Sequence, residues 1–268
     1  MVNEQILKKQ EILEARLKAL GSVAVAFSGG VDSTYLLHEA YKVLANQALA
    51  VTMKLNSVPA RELEEAAEFC RKAGIPQLVV ERNQFQAPGF ADNPKDRCYW
   101  CKTYLFSSLG NLAKEHGISY IIDGTNFSDT QGYRPGLKAL AELGVVSPLK
   151  EAELTKEEIR MLSEQEGLPT WNKPSFACLA TRFPYGTQIT EEKLRAVEAA
   201  EQWLFDLGFL QFRVRCHGPV ARIEVLPAQL EKLLRLREEV TARFKELGFA
   251  YVTMDLEGFR SGSMDLRK

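Results

Sequence analysis

The hexapeptide at residues 28–33 constrains the fold of this chain more than any other feature. It reads Ser-Gly-Gly-Val-Asp-Ser and directly follows a short apolar run at residues 23–27. An apolar run of this length predicts a buried strand, and the residues after the hexapeptide have helical periodicity. A strand, a glycine-rich turn and a helix N-terminus together bind phosphate well, because free N–H groups and the helix dipole point to one place.

Each residue type in this loop suits a bound nucleotide. Gly29 and Gly30 let the backbone approach phosphate, and the hydroxyls of Ser28 and Ser33 are donors. Asp32 is acidic in an anion site, so we expect it to hold Mg²⁺ or to cap the helix. A plain glycine-rich turn is the alternative interpretation. The loop resembles that of the PP-loop ATP pyrophosphatases, which implies that ATP adenylates a substrate oxygen and releases pyrophosphate.

The rest of the chain predicts two domains. Short apolar runs alternate with amphipathic segments up to residue 167, which predicts an α/β domain with a parallel sheet, as in the HUP-like PP-loop fold. Thr155 and Glu158 have the spacing of a capping box, which predicts the start of the last helix of this domain. The proline-containing segment 168–187 predicts the crossing to a second domain. There, a helix, two strands, a continuous helix over residues 227–247 and a last strand indicate a small α+β domain. We place the domains at residues 1–183 and 184–268.

Further nucleotide-binding residues are expected at the ends of the predicted strands, because ligands of open parallel sheets bind beyond the carboxyl ends of the strands. The candidates are Met53, Gly124, Thr125, Asp129 and Arg134. Met53 closes the predicted second strand, and packing in the core is an equally good interpretation of it. Asp129 is a candidate second ligand of Mg²⁺.

Three of the five cysteines suggest a metal or redox site. Cys98 and Cys101 form a C-x-x-C pair, and Cys178 lies far along the chain, whereas Cys70 and Cys216 fall on apolar faces and are expected in the core. Three thiolates without a fourth ligand favour a 4Fe–4S cluster with one open iron over a closed zinc site. Redox disulfide chemistry and a structural or zinc role remain the alternatives.

Two arginines share one side of a predicted strand. Arg213 and Arg215 lie about 7 Å apart by strand rise, a spacing that suits a phosphate or a carboxylate. The alternative is a solvated strand face on which Glu224, from the next strand, pairs with one of them.

Charge and hydropathy exclude some classes of protein. The net charge of −1 gives no overall attraction to nucleic acid or to anionic membranes. No apolar stretch approaches the roughly 20 residues of a membrane span, and the N-terminus does not have the pattern of a signal peptide. We therefore expect a cytoplasmic protein that binds neither nucleic acid nor membranes and keeps its cysteines reduced.

Several segments together resemble the LarE family. They are SGGVDS (28–33), DGTN (123–126), GYRPGLKALAELGVVSPL (132–149), KPSFACLATRFPYG (173–186), RVR (213–215) and GFRSGS (258–263). The resemblance implies sulfur insertion into pyridinium-3,5-dicarboxylate mononucleotide, on the way to the nickel-pincer nucleotide of lactate racemase. ATP would adenylate a carboxylate, and a sulfur nucleophile would then displace AMP to leave a thiocarboxylate.

The resemblance also implies the source of the sulfur. One type of member gives up the sulfur of the cysteine at position 178 and is left with dehydroalanine. The other type adds a C-x-x-C pair and depends on a cluster, and Cys98 and Cys101 place this chain with that type. The three cysteines would then hold the cluster, and a sulfide donor would supply hydrosulfide at the open iron.

Further roles are implied by the same resemblance. Arg213 and Arg215 would bind the substrate phosphate beside Glu224, and the residues near the pyridinium would be Trp100, Thr181 and Arg182. A homo-oligomer, a hexamer, is also implied. The chain departs from the family at Phe127-Ser128, where an acidic stretch is expected.

Two other functions fit parts of the pattern. A tRNA 2-thiolation enzyme of the PP-loop class also carries three such cysteines, but it needs a basic surface for RNA. A non-enzymatic ATP-binding or redox-sensing module would bind ATP without releasing pyrophosphate.

Overall fold

The computed structural model describes residues 2–130 and 134–264. Gly132 and Tyr133, which begin one of the segments that resemble the LarE family, lie outside the described residues. None of the helices in the described ranges has the length and hydropathy of a membrane span.

The chain divides into two compact units. The first comprises Met1–Pro88 and Asp96–Ser175, and the second comprises Gly89–Lys95 and Phe176–Lys268. The division therefore falls at residue 175, eight residues before the predicted boundary at 183. The short early segment belongs to the second unit because it bonds to residues of that unit: the side chain of Asn93 donates to the carbonyl of Pro184, 2.7 Å away.

The first unit is an α/β structure, as predicted. Its strands all run parallel in the order β3-β2-β1-β4. The strands are β1 (Val23–Ala26), β2 (Ala48–Leu55), β3 (Gln77–Arg82) and β4 (Tyr120–Asp123). The helices are α1 (Glu4–Leu20), α2 (Val31–Leu44), α3 (Ala60–Ala73), α4 (Arg97–Glu115), α5 (Pro135–Glu142), α6 (Pro148–Glu151) and α7 (Lys156–Gln165). Met53 lies inside β2, so its predicted place at the strand end is wrong.

The order of the strands positions the hexapeptide. The chain goes from β1 to β2 and β3 on one side, and then returns to place β4 on the other side of β1. Ala26 pairs with Asp123 in the last register position of both strands. The hexapeptide and the residues after Asp123 therefore leave the sheet at one carboxyl edge, at the point where the strand order reverses, where ligands of such sheets bind.

Both faces of this sheet are covered. Val23 and Val25 pack with α1, α2 and α7 in the larger apolar cluster, whereas Ala24 faces a smaller cluster that includes Leu109 of α4. Successive strand residues point to opposite faces, so the continuous apolar run of β1 is what a strand between two helical layers requires.

The second unit is the predicted α+β structure. Its sheet has the order β5-β6-β7, with an antiparallel pair and a parallel pair. The strands are β5 (Phe212–His217), β6 (Val220–Val225) and β7 (Tyr251–Met254), and the helices are α8 (Glu191–Asp206), α9 (Leu230–Arg235) and α10 (Arg237–Glu246).

The continuous helix predicted over residues 227–247 is wrong. Leu236, at φ −89° and ψ 10°, ends α9 and precedes α10. The buried side chains of Leu233, Val240 and Phe244 keep helical spacing across this break. Apolar periodicity alone therefore does not reveal the interruption.

A buried ion pair joins α8 to the segment after Cys178. Arg182 donates to both carboxylate oxygens of Glu201 at 2.7 and 3.0 Å, and each side chain is only 1% exposed. Burial alone would raise the pKa of Glu201, but Arg182 and the backbone N–H of Val214 hold that pKa below its usual range. Removing one partner of such a pair typically costs about 3–5 kcal/mol, because the other charge is left buried.

Candidate nucleotide-binding and sulfur-transfer site

The phosphate loop is braced by its own serines. The hydroxyl of Ser33 donates to the carbonyl of Gly30 at 3.1 Å and accepts from the backbone N–H of Ser28 at 3.3 Å. Because that hydroxyl has a single proton, the 3.1 Å contact between the two serine hydroxyls has Ser28 as the donor. The loop is therefore held in a defined shape at the start of α2.

Two glycines of the site are required by close packing. A Cβ on Gly29, whose φ is +73°, would lie 3.2 Å from the Cβ of Ala66 in α3. A Cβ on Gly124 would lie 3.0 Å from the backbone nitrogen of Ser33. The residue after β4 therefore touches the first turn of α2, which brings two predicted elements of the nucleotide site together.

Asp32 lies at the centre of a polar cluster. Its carboxylate accepts from the side-chain amide of Asn126 at 3.3 Å and forms an ion pair with Lys156. Burial, with a further contribution from Asp129, raises the pKa of Asp32 despite the opposing effects of Lys156 and Asn126. Asp32 is thus a partly buried carboxylate whose positively charged partner is Lys156.

The alternative role of Asp32 as a helix cap is not seen. Gly30 is the N-cap of α2 and makes no side-chain capping bond.

Lys156 is a site residue that the sequence analysis missed. The predicted capping box of Thr155 and Glu158 is present and fixes the start of α7, where Lys156 is the first residue. The backbone N–H of Lys156 donates to the hydroxyl of Ser128, so the turn after β4 and the start of α7 are tied together. The capping box indicated where the helix begins, but no local pattern indicated that Lys156 contacts Asp32.

Lys173 is a second missed residue. Its ammonium donates to the carbonyl of Gly29 in the phosphate loop at 3.1 Å and pairs with Glu62 and Glu65 of α3 at 2.8 and 2.6 Å. It therefore holds the loop and α3 together. The available signal was its position at the start of KPSFACLATRFPYG, a segment from which only Cys178, Thr181 and Arg182 were selected as site residues.

The remaining candidates near β4 have identified contacts. Thr125 donates its hydroxyl to Asp123, and Asp129 pairs with Arg134 at 3.1 Å. Met53 is half-buried and packs against the apolar cluster between the sheet and α4, as the core interpretation requires.

The five cysteines, all within the described ranges, are thiols rather than disulfides. Cys70 and Cys216 are buried, which confirms their place in the core, and burial raises the pKa of Cys70 to about 11. Cys98 is exposed and Cys101 is partly exposed near the start of α4, where a spacing of three places them on the same side of the helix. Cys178 is exposed in the second unit.

The cysteine sulfurs are the donor type that iron–sulfur clusters take. Within residues 2–130 and 134–264, however, no three His, Cys, Asp or Glu side chains are grouped closely enough to hold a metal ion. The described residues therefore include suitable cysteine sulfurs, but no three potential ligands among them form a metal-binding group.

The arginine pair of β5 is buried, so the solvated-face interpretation is wrong. The guanidinium of Arg213 lies over the rings of Phe176 and Phe259, with centroids 5.5 and 4.9 Å away. Arg215 donates to Glu224 at 2.8 Å and to the hydroxyl of Ser263 at 2.9 Å. The predicted pairing of Glu224 with one of the arginines is confirmed.

The second unit concentrates positive charge around β5. Burial, together with the nearby Arg182 and Arg215, lowers the pKa of Arg213 to about 9. The pKa of Arg215 is lowered too, chiefly by burial and in part by Arg182, against the opposing effect of Glu224. An anion bound among these groups would relieve their repulsion and favour their charged forms.

The residues expected near a pyridinium have different environments. Trp100 is exposed and donates its indole N–H to Asp96 at 3.0 Å. Thr181 donates its hydroxyl to the carbonyl of Cys178 at 2.8 Å and accepts from Arg182 at 2.7 Å. Arg182 forms a buried ion pair with Glu201, which was not predicted from the sequence.

A parallel sheet with a braced SGGVDS loop and an acidic residue at its reversal point defines an ATP-dependent enzyme of the PP-loop class. A glutamine-hydrolyzing GMP synthase of Aeropyrum pernix is a distant relative, 28% identical over 214 residues, or 71% of this chain and 41% of its own length. The pyridinium-3,5-bisthiocarboxylic acid mononucleotide synthase of Lactiplantibacillus plantarum is 38% identical over 258 residues, 96% of this chain and 94% of its own. The chain belongs to this family, the LarE family.

An uncharacterised protein of Synechocystis is 42% identical over 259 residues, covering 96% of this chain and 97% of its own length. No family model matches the chain. Family membership and the PP-loop relatives together make this chain an ATP-dependent sulfurtransferase.

Proposed function

We propose that this enzyme transfers sulfur to an adenylated carboxylate of pyridinium-3,5-dicarboxylate mononucleotide and so serves synthesis of the nickel-pincer nucleotide. The observation that carries the proposal is the partly buried Asp32 beside Asn126 and Asp129, at the point where the strand order reverses. The name of the relative from Lactiplantibacillus plantarum supports the choice of substrate.

The reaction has two displacements. A substrate carboxylate oxygen attacks the α-phosphorus of ATP, the bond to the bridging oxygen breaks, and pyrophosphate leaves. A sulfur nucleophile then attacks the acyl carbon, and AMP leaves with the bonding electrons. Adenylation is needed because an oxide is a poor leaving group, whereas AMP is a good one.

Asp32 and Asp129 are proposed to hold Mg²⁺. Magnesium is usually bound by one or two carboxylates together with substrate phosphates and water, so an all-protein cage is not required. The raised pKa of Asp32, which has burial as its main cause, fits a carboxylate that gains a cation when nucleotide binds. Ser28, Gly29, Gly30 and Ser33 would bind the phosphates, with Met53, Gly124, Thr125 and Arg134 around the nucleotide.

Cys98, Cys101 and Cys178 are proposed to hold a 4Fe–4S cluster. When bound, such a cluster supplies an open coordination position for a sulfide from an external donor. The support is the presence of three cysteines outside disulfides, of which Cys98 and Cys178 are exposed. We also propose that the protein is a homo-oligomer, a hexamer as in its family, and that it does not act on nucleic acid.

The direct test follows the products of the reaction. Anaerobically purified protein is incubated with ATP, Mg²⁺, sulfide and the dicarboxylate mononucleotide. We expect thiocarboxylate by mass spectrometry, AMP and pyrophosphate in equal amounts with it, and iron and sulfide bound to the protein. A tRNA acceptor in place of the mononucleotide tests the alternative function. Thiolated tRNA, or ATP binding without pyrophosphate, would contradict the proposal.

Arg213 and Arg215 are proposed to bind the substrate phosphate, with Glu224 holding Arg215 in place. Trp100, Thr181 and Arg182 are proposed to lie near the pyridinium. The support for the phosphate site is electrostatic: burial and the nearby Arg182 lower the pKa values of Arg213 and Arg215, and a phosphate dianion would offset that repulsion.

The pH dependence of substrate binding tests the phosphate site. Arg213 binds phosphate when protonated, and its pKa is lowered to about 9. Affinity for the mononucleotide should therefore be constant between neutral pH and about pH 9. At higher pH it should fall by up to about tenfold per pH unit. Isothermal calorimetry without ATP measures this. Arg213→Gln should bind weakly at neutral pH and lack the fall.

The matched control for this experiment is Arg195→Gln, because Arg195 is an exposed arginine on α8. It should keep both the affinity and the pH profile of the wild type. An unchanged profile in Arg213→Gln would remove Arg213 from the phosphate site.

A further inference from the structure

The side chain of Gln84 is buried next to the C-x-x-C pair. Gln84 is only 1% exposed and begins a short 3₁₀ turn that follows β3. Its side-chain oxygen accepts from the backbone N–H of Ser57 at 3.0 Å and from the Ser57 hydroxyl at 2.7 Å. Its own backbone N–H donates to Asn56 at 2.9 Å. A buried amide with these partners has a fixed position.

The same contacts decide which way the amide faces. The oxygen and nitrogen of a glutamine amide are ordinarily assigned from their hydrogen bonds. Here the backbone N–H of Ser57 is able only to donate, so the atom that faces it must be the oxygen of Gln84. The NH₂ group therefore points the other way, and its nitrogen lies 3.3 Å from the Sγ of Cys101.

This contact differs from that of the neighbouring glutamine. Gln86 lies in the same turn, but its side-chain oxygen accepts from the exposed hydroxyl of Tyr104 at 2.9 Å. Gln84 instead presents a neutral donor to a cysteine sulfur. Such a donor stabilises negative charge on sulfur without cancelling it, and hydrogen bonds to ligand sulfurs are among the factors that set cluster potentials.

We propose that Gln84 is a positioning residue that fixes the sulfur of Cys101 through an N–H···S hydrogen bond and stabilises that sulfur as an iron ligand. Its function as a ligand rests on the proposed function. The hydrogen bond itself does not, so the two are tested separately.

The first experiment uses reduced, metal-free protein. Gln84→Met, Cys101→Ala and the double variant are unfolded in urea. A hydrogen bond contributes about 1 kcal/mol, which is about a fivefold change in the folding equilibrium constant. The loss caused by Gln84→Met should therefore be about fivefold smaller in the Cys101→Ala background, where the bond is already absent, than in wild type. The same cycle with Cys98→Ala should be additive. An additive cycle with Cys101 would overturn the proposal.

The second experiment measures the reduction potential of the reconstituted cluster. Loss of a donor to the sulfur concentrates negative charge on it and favours the oxidised cluster, so Gln84→Met should have a more negative potential than wild type. Gln86→Leu, from the same turn, should match the wild type. An unchanged potential in Gln84→Met would overturn the assigned effect on iron. If wild-type protein takes up no iron, the proposed cluster fails, and the urea cycle alone decides whether Gln84 holds Cys101.

Discussion

Asp32→Asn is expected to lower ATP-dependent pyrophosphate release by about a hundredfold to a thousandfold, as does loss of other groups that stabilise developing charge. Asparagine keeps the size of the side chain and still accepts a hydrogen bond from Asn126. It lacks the negative charge that, in the proposed function, holds Mg²⁺ against the phosphates of ATP. Pyrophosphate release with saturating ATP and substrate measures the effect.

Lys156→Met is the informative companion variant. It removes the ion-pair partner of Asp32 but leaves the carboxylate in place for the metal. If Asp32 served only to hold Lys156, the two variants would lose the same activity and the same stability. Pyrophosphate release near the wild-type rate in Asp32→Asn would remove Asp32 from the metal role.

Cys178→Ala is expected to abolish thiocarboxylate formation while pyrophosphate release stays within a few-fold of wild type. The thiol is exposed, so its loss leaves the core intact. The proposed adenylation step uses the phosphate loop and its carboxylates, and none of those residues is changed. Product analysis by mass spectrometry, with pyrophosphate measured in the same sample, separates the two steps.

The control is Cys216→Ala, because Cys216 is a buried cysteine of the same unit. It should retain thiocarboxylate formation at reduced stability. The mass of wild-type protein after turnover decides the source of sulfur. An unchanged mass supports an external sulfide, whereas loss of one hydrogen sulfide from Cys178 would contradict the cluster route. Full product formation by Cys178→Ala would remove this cysteine from sulfur transfer.

The parts of the molecule that were predicted correctly are those with local signals. The strand before Ser28, the capping box at Thr155 and the apolar setting of Cys70 each depend on a few neighbouring residues. Such patterns reflect backbone geometry and burial, which sequence periodicity records directly.

The residues that were missed depend on contacts between distant segments. Lys156 meets Asp32, and Lys173 meets Gly29, only because the folded sheet brings those segments together. The alternation of polar and apolar residues along β5 suggested that Arg213 lies on a solvent-exposed face of the strand. In the structure, the rings of Phe176 and Phe259 cover its guanidinium. An alternating pattern identifies a strand without identifying what lies on its polar side.

The ion pair between Lys156 and Asp32 has a consequence for the order of binding. An ammonium tethered to the same fold competes with any free metal ion for this carboxylate, and it does so at a high effective concentration. In the proposed magnesium role of Asp32, magnesium that arrives with ATP would have an advantage over free magnesium, because the phosphates would offer the displaced ammonium new negative partners. On that proposal, Lys156 is the counter-ion of the site before nucleotide binds, and nucleotide binding would make its exchange for magnesium favourable.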